Sequence, residues 1–422
     1  MVREVAERVE AGDHGAWRFE GFLGERLAAL AAARLRSEFA RGVIHGEALA
    51  AFRRRADDRM EPGTGYWQGE FWGKWILGAI EACRYYADDQ LRELIARSAA
   101  GILKTQDSSG YIGTYSDPDF LRSQEGRNNW NVWCRKYTLW GLLGCYELLG
   151  ECSILDGAVR LADHLLSQVG PGKTDIIRTG KLYGLPSTSS LTPVVFLYRA
   201  TGEKRYLEFA EHIVRQWSQH PQGPPDLLRK GLTGTPIHEW FPRPRDWAKS
   251  YELISCVEGL VHLHRVTGTA DYLTAARNIH GAICRWERSP AGSVSFNDKF
   301  VGSRRLINTV AEICDAVYWN RLSFELLKLT GEASYADEIE RTLYNALLCG
   351  MSPDGTWGLR RLRFSHLHVP SPQHCNLEHH HCCLDNLPRG LLQAAHMALM
   401  QDEDGLVLPL YNPGRGRGTA PS

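Results

Sequence analysis

No stretch of this sequence approaches the eighteen or so consecutive apolar residues that a bilayer-spanning helix needs. Its first residues, "MVREVAERVEAGDHGAW", hold no apolar core of a secretory signal. A cytoplasmic protein with no membrane partner is therefore expected. Net charge is also missing, since 49 Lys and Arg balance 49 Asp and Glu; no electrostatic pull toward nucleic acid follows. A neutral or weakly charged small molecule is the partner such a surface suits. Disulfide framework spacing is absent too: the 11 cysteines are scattered, as in a reducing compartment, and Cys83, Cys145, Cys256 and Cys284 fall in apolar helical patterns as small buried hydrophobes.

What the chain does have is aromatics and a repeat. Its 13 Trp and 16 Tyr serve sugar stacking and a large core equally well. A recurrent phrase joins an apolar helix, a Gly and an apolar residue four positions on: "LYRATGEKRYL", "LHRVTGTADYL" and "LLKLTGEASYA", with weaker copies at "YELLGECSIL" and "CRYYADDQLREL". A Gly just past a helix end is a left-handed cap, so each copy reads as the elbow of a helical hairpin. The elbows fall at 87, 150, 202, 268 and 331. A sixth inner helix is expected over about 387–400, capped by Asn386 with Pro388 in its first turn, and N-terminal helices over about 22–58 supply its outer partner. The expectation is an all-α fold, a closed (α/α)6 barrel of six helical hairpins; an open solenoid is the alternative. One domain is expected over 1–422, with residues 1–60 closing the barrel and 412–422 a flexible tail.

In such a barrel the inner helices run parallel and their N-termini gather at one mouth. The loops entering them are "GYWQGEFWGKW", "EGRNNWNVWCRKY", "YGLPSTSS", "HEWFPRPRDWAKSYE", "INTVAEICD" and "EHHHCCLDN". These are long, aromatic and charged, whereas the elbows are short, so function is expected at the mouth. Two of them carry soft donors. Glu312 and Cys314 precede a helix that Asp315 could cap, and Cys382 with Cys383 stands just ahead of another. One carboxylate and three thiols suit a tetrahedral Zn²⁺. A strained vicinal disulfide and a merely solvated histidine loop are the competing readings, and a thiolate at helix N-termini is also a candidate nucleophile.

"AEICD…NRLSFELLKLTGEASYADEIERTLYNALLCGMSPDG", followed by "CCLDNLPRGL…QDEDGLVLPLYN", resembles the glycoside hydrolases of the β-L-arabinofuranosidase type, glycoside hydrolase family 127. The resemblance extends back through "GEFWGKWILGAIEACRYYADDQL" and "DSSGYIGTY". It implies an (α/α)6 catalytic barrel, a zinc ion held by Glu312, Cys314, Cys382 and Cys383, and Cys382 as nucleophile of a retaining mechanism through a thioglycosyl intermediate. It also implies a small carbohydrate substrate and a monomer or homodimer. Departures accompany it. Where the family places a glutamate as general acid/base upstream of Glu-x-Cys, this chain has only Asp298 between Glu287 and Glu312. Ser, Thr and Lys249 stand where family members carry histidines, Leu384 and Asp385 replace the Pro after the cysteine pair, and the family's C-terminal β-sandwich domains are expected to be missing. Candidates for the acid/base are Asp298, Glu252 and Glu70, in that order. Candidate sugar contacts are Trp67, Trp72, Lys74, Trp130, Trp133, Lys136, Tyr137, Lys249, His380 and His381. Two other functions fit the same residues: a lyase, isomerase or transferase reusing the Zn/Cys centre, and a carbohydrate-binding pseudoenzyme.

Overall fold

The computed structural model describes residues 2–61, 65–124, 128–220, 223–303, 310–356, 361–363 and 377–416. Six inner helices, Gly69–Tyr86, Asn131–Leu149, Leu191–Thr201, Ser250–Thr267, Ile313–Thr330 and Cys382–Leu392, form a ring in which each packs on the next and the last packs on the first. That closure makes the fold an (α/α)6 barrel and removes the open solenoid. Outer helices follow five of them: Asp89–Leu103, Cys152–Gln168, Lys204–Trp217, Ala270–Trp286 and Ala333–Arg341. The sixth inner helix is covered by the N-terminal helix Gly21–Ala31, while His45–Arg54 lies against the first hairpin. No helix among the described residues is long and apolar enough to cross a membrane.

Burial pattern separates the two rings. Lys204–Trp217 buries Tyr206, Phe209, Ala210, Ile213, Val214 and Trp217, the one-stripe spacing of a helix with a wet outer face. Ile313–Thr330 is buried on nearly every side, as an inner helix must be. Each elbow turns on a residue with positive φ: Ala87 at 49°, Gly150 at 75°, Gly202 at 72°, Gly268 at 71° and Gly331 at 70°. The aromatic four residues on is then buried at Tyr206 and Tyr335, which locks the second helix against the first.

Three features differ from expectation. The last inner helix starts at Cys382, with His381 as its N-cap, so Asn386 and Pro388 lie inside it and its regular part ends at Leu392. The His381 imidazole accepts from Leu384 N at 3.1 Å and satisfies a first-turn amide that the chain's Asn cannot reach. At the Glu312 helix, the cap is Glu312 itself, and Asp315 closes a capping box from the third helical position. Gly414–Gly416, inside the stretch expected to be a tail, pairs antiparallel with Trp17–Phe19. The remaining strands are two short pairs, one of which, Val310–Glu312 with Arg361–Arg363, delivers Glu312 to the mouth.

The first two inner helices touch through small residues. A Cβ on Gly73 would lie 2.3 Å from the Tyr137 carbonyl oxygen, and one on Gly141 would lie 2.7 Å from the Trp72 ring. Gly202, by contrast, has open space around it and only its positive φ to defend. Gly202→Ala should therefore cost about 1–2 kcal/mol, the left-handed penalty of a side chain, and Gly73→Ala distinctly more because the helices must separate. Urea denaturation of the two variants checks the order.

Candidate metal centre and active-site cavity

The strand–helix junction at Glu312 and the helix start at Cys382 meet at the mouth. Glu312 Oε1 lies 3.1 Å from Cys382 Sγ and 3.3 Å from Cys383 Sγ. Cys383 Sγ is 3.7 Å from Cys382 Sγ and 3.8 Å from Cys314 Sγ. All four donor atoms fall within 4.8 Å of one another, so a single metal ion could be held by all of them. Every cysteine here is a free thiol, which disposes of the vicinal disulfide. Burial pushes the thiols of Cys314 and Cys383 well up; only a cation between them would hold these sulfurs as thiolates.

Cys382 is the one donor of the four that is not fully buried. It faces a cavity of about 150 Å³ lined also by Trp67, Glu70, Trp130, Trp133, Lys249, Tyr251, Glu252, Asp298 and Glu312. Its aromatic wall is continuous: Trp67 meets Trp130 edge-on at 6.3 Å, Trp130 meets Trp133 at 5.7 Å, and Trp133 meets Tyr251 at 5.0 Å. Two ammonium groups pair with three of the four acids. Lys249 Nζ lies 3.3 Å from Glu252 and 3.5 Å from Glu312; burial would lower its pKa, but the two carboxylates win and hold it well above the ordinary lysine value. Lys74 Nζ donates to Glu70 at 3.0 Å and to the Cys382 carbonyl at 3.4 Å; burial is the largest single influence on it and lowers its pKa, but Glu70 together with the neighbouring thiols and Tyr137 holds it well above the ordinary value. The other Glu70 oxygen accepts from the Trp133 indole.

Asp298 reaches the wall through a local device. Phe296 and Lys299 exchange backbone hydrogen bonds at 3.0 Å each way across Asn297 and Asp298, whose φ angles are 47° and 64°. That is a two-residue hairpin turn in which both central residues are left-handed, a conformation Asn and Asp tolerate. Asp298 O accepts from Ser250 N at 2.9 Å, which ties this turn to the start of the fourth inner helix.

Of the residues singled out from sequence, the structure brings Glu70, Lys249, Glu252, Asp298, Glu312, Cys382, Trp67, Trp130 and Trp133 to this cavity, with Cys314 and Cys383 behind it. Others face elsewhere. Trp72 donates to Ser98 Oγ at 2.9 Å, toward the outer helix. Lys136 points into the barrel, to Ser255 Oγ at 2.7 Å and Ser189 Oγ at 3.0 Å. Tyr137 sits beneath the cavity, hydrogen-bonded to the hydroxyls of Tyr251 and Tyr318, and Lys74 stands over its ring at 5.1 Å. His381 is the helix cap. His380 is fully buried, bonded to Asp385 at 2.9 Å and to the Ile44 carbonyl at 2.9 Å, with Arg34 completing the pair to Asp385. His380 thereby fastens the cysteine loop to the N-terminal helices. Tyr251 is the cavity residue that sequence reading passed over, although its place beside Glu252 in a mouth loop marked it.

The fold is that of an (α/α)6 barrel with a thiol-rich donor set at its mouth, and residues 25–395 match the family of β-L-arabinofuranosidase, GH127 catalytic domains. The chain belongs to that family. It is 25% identical over 349 residues to the non-reducing end β-L-arabinofuranosidase of Bifidobacterium longum subsp. longum, a match covering 74% of this chain and 52% of that protein. Solved structures agree on the fold. A GH127 β-arabinofuranosidase superposes with a TM-score of 0.77 at 20% identity, over 97% of this chain and 65% of that one. The GH127 β-L-arabinofuranosidase of Geobacillus stearothermophilus T6 gives 0.71 at 18%, over 96% of this chain and 68% of that one. The chain thus spans about half the length of the curated relative.

The buried Lys74–Glu70 pair sets a test of the cavity floor. Lys74→Met should cost about 3–5 kcal/mol by stranding a buried carboxylate, and Glu70→Gln combined with Lys74→Met should recover most of that loss. Denaturant unfolding of the single and double variants measures the coupling.

Proposed function

We propose that the chain is a retaining glycoside hydrolase acting on small β-L-arabinofuranosides or related oligosaccharides, with Cys382 as nucleophile and Zn²⁺ as the bound metal. The observation that carries this is the position of Cys382: a member of the four-donor cluster, yet the one sulfur that opens onto the cavity. Zinc fits the spacing. A Zn–S bond of about 2.3 Å makes the edge of a sulfur tetrahedron about 3.8 Å, and two of the sulfur–sulfur separations are 3.7 and 3.8 Å. Bound there, zinc would supply positive charge that keeps the sulfurs ionised.

The chain's own residues then divide the work. The Cys382 sulfur attacks the anomeric carbon, forming a C–S bond as the bond to the leaving oxygen breaks. That oxygen takes a proton from an acid in the wall. A water molecule, deprotonated by the same group, next attacks the anomeric carbon and returns the sulfur. We assign the proton transfers to Asp298. Glu70 has both oxygens engaged by Lys74 and Trp133, and Glu252 is paired with Lys249. Those contacts fix both glutamates as partners of the two lysines, while Asp298 enters the wall from its own turn. Tyr251 and the three tryptophans supply the apolar wall against which a sugar ring packs.

Cys382→Ala should abolish hydrolysis of aryl β-L-arabinofuranosides while the fold persists, and mass spectrometry of a trapped reaction should place a glycosyl adduct on Cys382. Unchanged turnover in the variant sinks the assignment. Asp298→Ala should lower kcat/KM by about 10²–10⁴ for substrates with poor leaving groups and much less for activated aryl glycosides, with azide restoring rate. An equal loss for every leaving group moves the acid role to Glu252 or Glu70.

A further inference from the structure

The barrel end opposite the cavity carries a second cluster of ligand-type side chains. His14 comes from the N-terminal segment, Glu81 from the first inner helix, and His396 from the turn after the last one; their donor atoms all lie within 4.8 Å of one another. Glu81 stands eleven residues beyond Glu70, about 16 Å down the same helix. His14 Nε2 is 2.7 Å, and His396 Nε2 3.1 Å, from the same oxygen, Oε2 of Glu81. The two imidazole centroids are 3.2 Å apart, closer than the 4.5–7 Å or so at which aromatic rings ordinarily pack.

Hydrogen bonding alone leaves this cluster unexplained. His14 is only 4% exposed, yet neither of its ring nitrogens makes a hydrogen bond, the close approach to Glu81 included. A buried imidazole aimed at a carboxylate and a second imidazole needs a partner, and an ion among the three is one.

We propose that His14, Glu81 and His396 form a second metal site, for a divalent ion of the zinc class, separate from the thiol centre. Two imidazoles and one carboxylate leave further positions to water and suit Zn²⁺, Co²⁺ or Ni²⁺. An approach path exists: a cavity of about 640 Å³ opens beside the cluster, lined by Glu81 and His396 together with Val2, Glu4 and Ala11 of the N-terminal segment. The site is a clamp. The N-terminal segment crosses this end of the barrel, with Val5 N bonded to Arg265 O at 2.8 Å, Val9 N to Lys328 O at 3.0 Å and Glu10 N to Gln401 O at 2.7 Å. A Cβ on Gly12 would lie 1.7 Å from Leu399 O, so the segment is drawn in as closely as backbone allows just before His14. An ion held by His14, Glu81 and His396 ties this strap to the seam where the first and last inner helices close the ring.

Metal content of the full chain, equilibrated with Zn²⁺ and desalted, decides it. Two equivalents are expected in the wild type, one in His14→Gln/His396→Gln, and one in Cys314→Ser/Cys383→Ser. With Co²⁺, one equivalent should bring the intense near-ultraviolet thiolate charge-transfer band and the other only weak ligand-field bands, and the double histidine variant should lose the second alone. A wild type that takes one equivalent, or a double histidine variant with native circular dichroism that still takes two, overturns the proposal. Should the histidine variant fail to fold, the wild-type and cysteine-variant stoichiometries still decide.

Discussion

Three sulfurs and a carboxylate gathered within 4.8 Å cannot all be ionised unless positive charge lies among or beside them, and much of the mouth is built around that constraint. At such distances like charges in a low-dielectric site repel by several kcal/mol per pair. Lys249 supplies one counter-charge at 3.5 Å from Glu312, and Lys74 reaches the Cys382 carbonyl from the other side. The backbone is fixed first. Glu312 is locked by its capping box with Asp315, and the cysteine pair by the His381 cap and the buried His380–Asp385–Arg34 chain. Helix N-termini then aim their partial positive charge at the same cluster.

Parallel inner helices explain why these parts meet. Each hairpin returns through a short left-handed elbow at one end, so long loops can accumulate only at the other. The small residues between the first two inner helices matter for the same reason: the close approach at Gly73 and Gly141 brings the Glu70–Lys74 face against Trp133 and Tyr137. Packing deep in the barrel and chemistry at its mouth are thus set by one crossing.

The hairpin elbows, the six-helix ring and the four-donor cluster were readable in the sequence because each rests on local chemistry: a Gly that alone accepts positive φ without cost, and thiols beside carboxylates at helix starts. Helical geometry also explains two residues that went elsewhere. Trp72 is two positions from Glu70, about 200° around the helix, and so belongs to a different face; Lys136, three positions from Trp133, stays beside that ring but sends its ammonium to Ser189 and Ser255. The roles of the histidines were only partly legible: the bonds of His380 to Asp385 and of His381 to Leu384 N are local, but His380 also meets the Ile44 carbonyl 336 residues away, which no local pattern contains. Pro388 misplaced the helix start because Pro favours a first turn, whereas here its ring packs beside Gly78, where a Cβ would lie 3.1 Å from it.

In the proposed mechanism the proton is moved by an aspartate, one methylene shorter than a glutamate, so its backbone must lie close to the leaving oxygen. The Phe296–Lys299 turn provides that approach. Positive φ at both Asn297 and Asp298 makes the tightest hairpin available, and the bond from Ser250 N to Asp298 O pulls it against the helix that carries Glu252. A residue on so short a turn has little freedom to lose on substrate binding, and this lowers the entropic cost of orienting an acid for transfer. In the proposed mechanism the same rigidity restricts the substrate, because a carboxyl group that cannot retreat admits only sugars whose leaving oxygen arrives at its position.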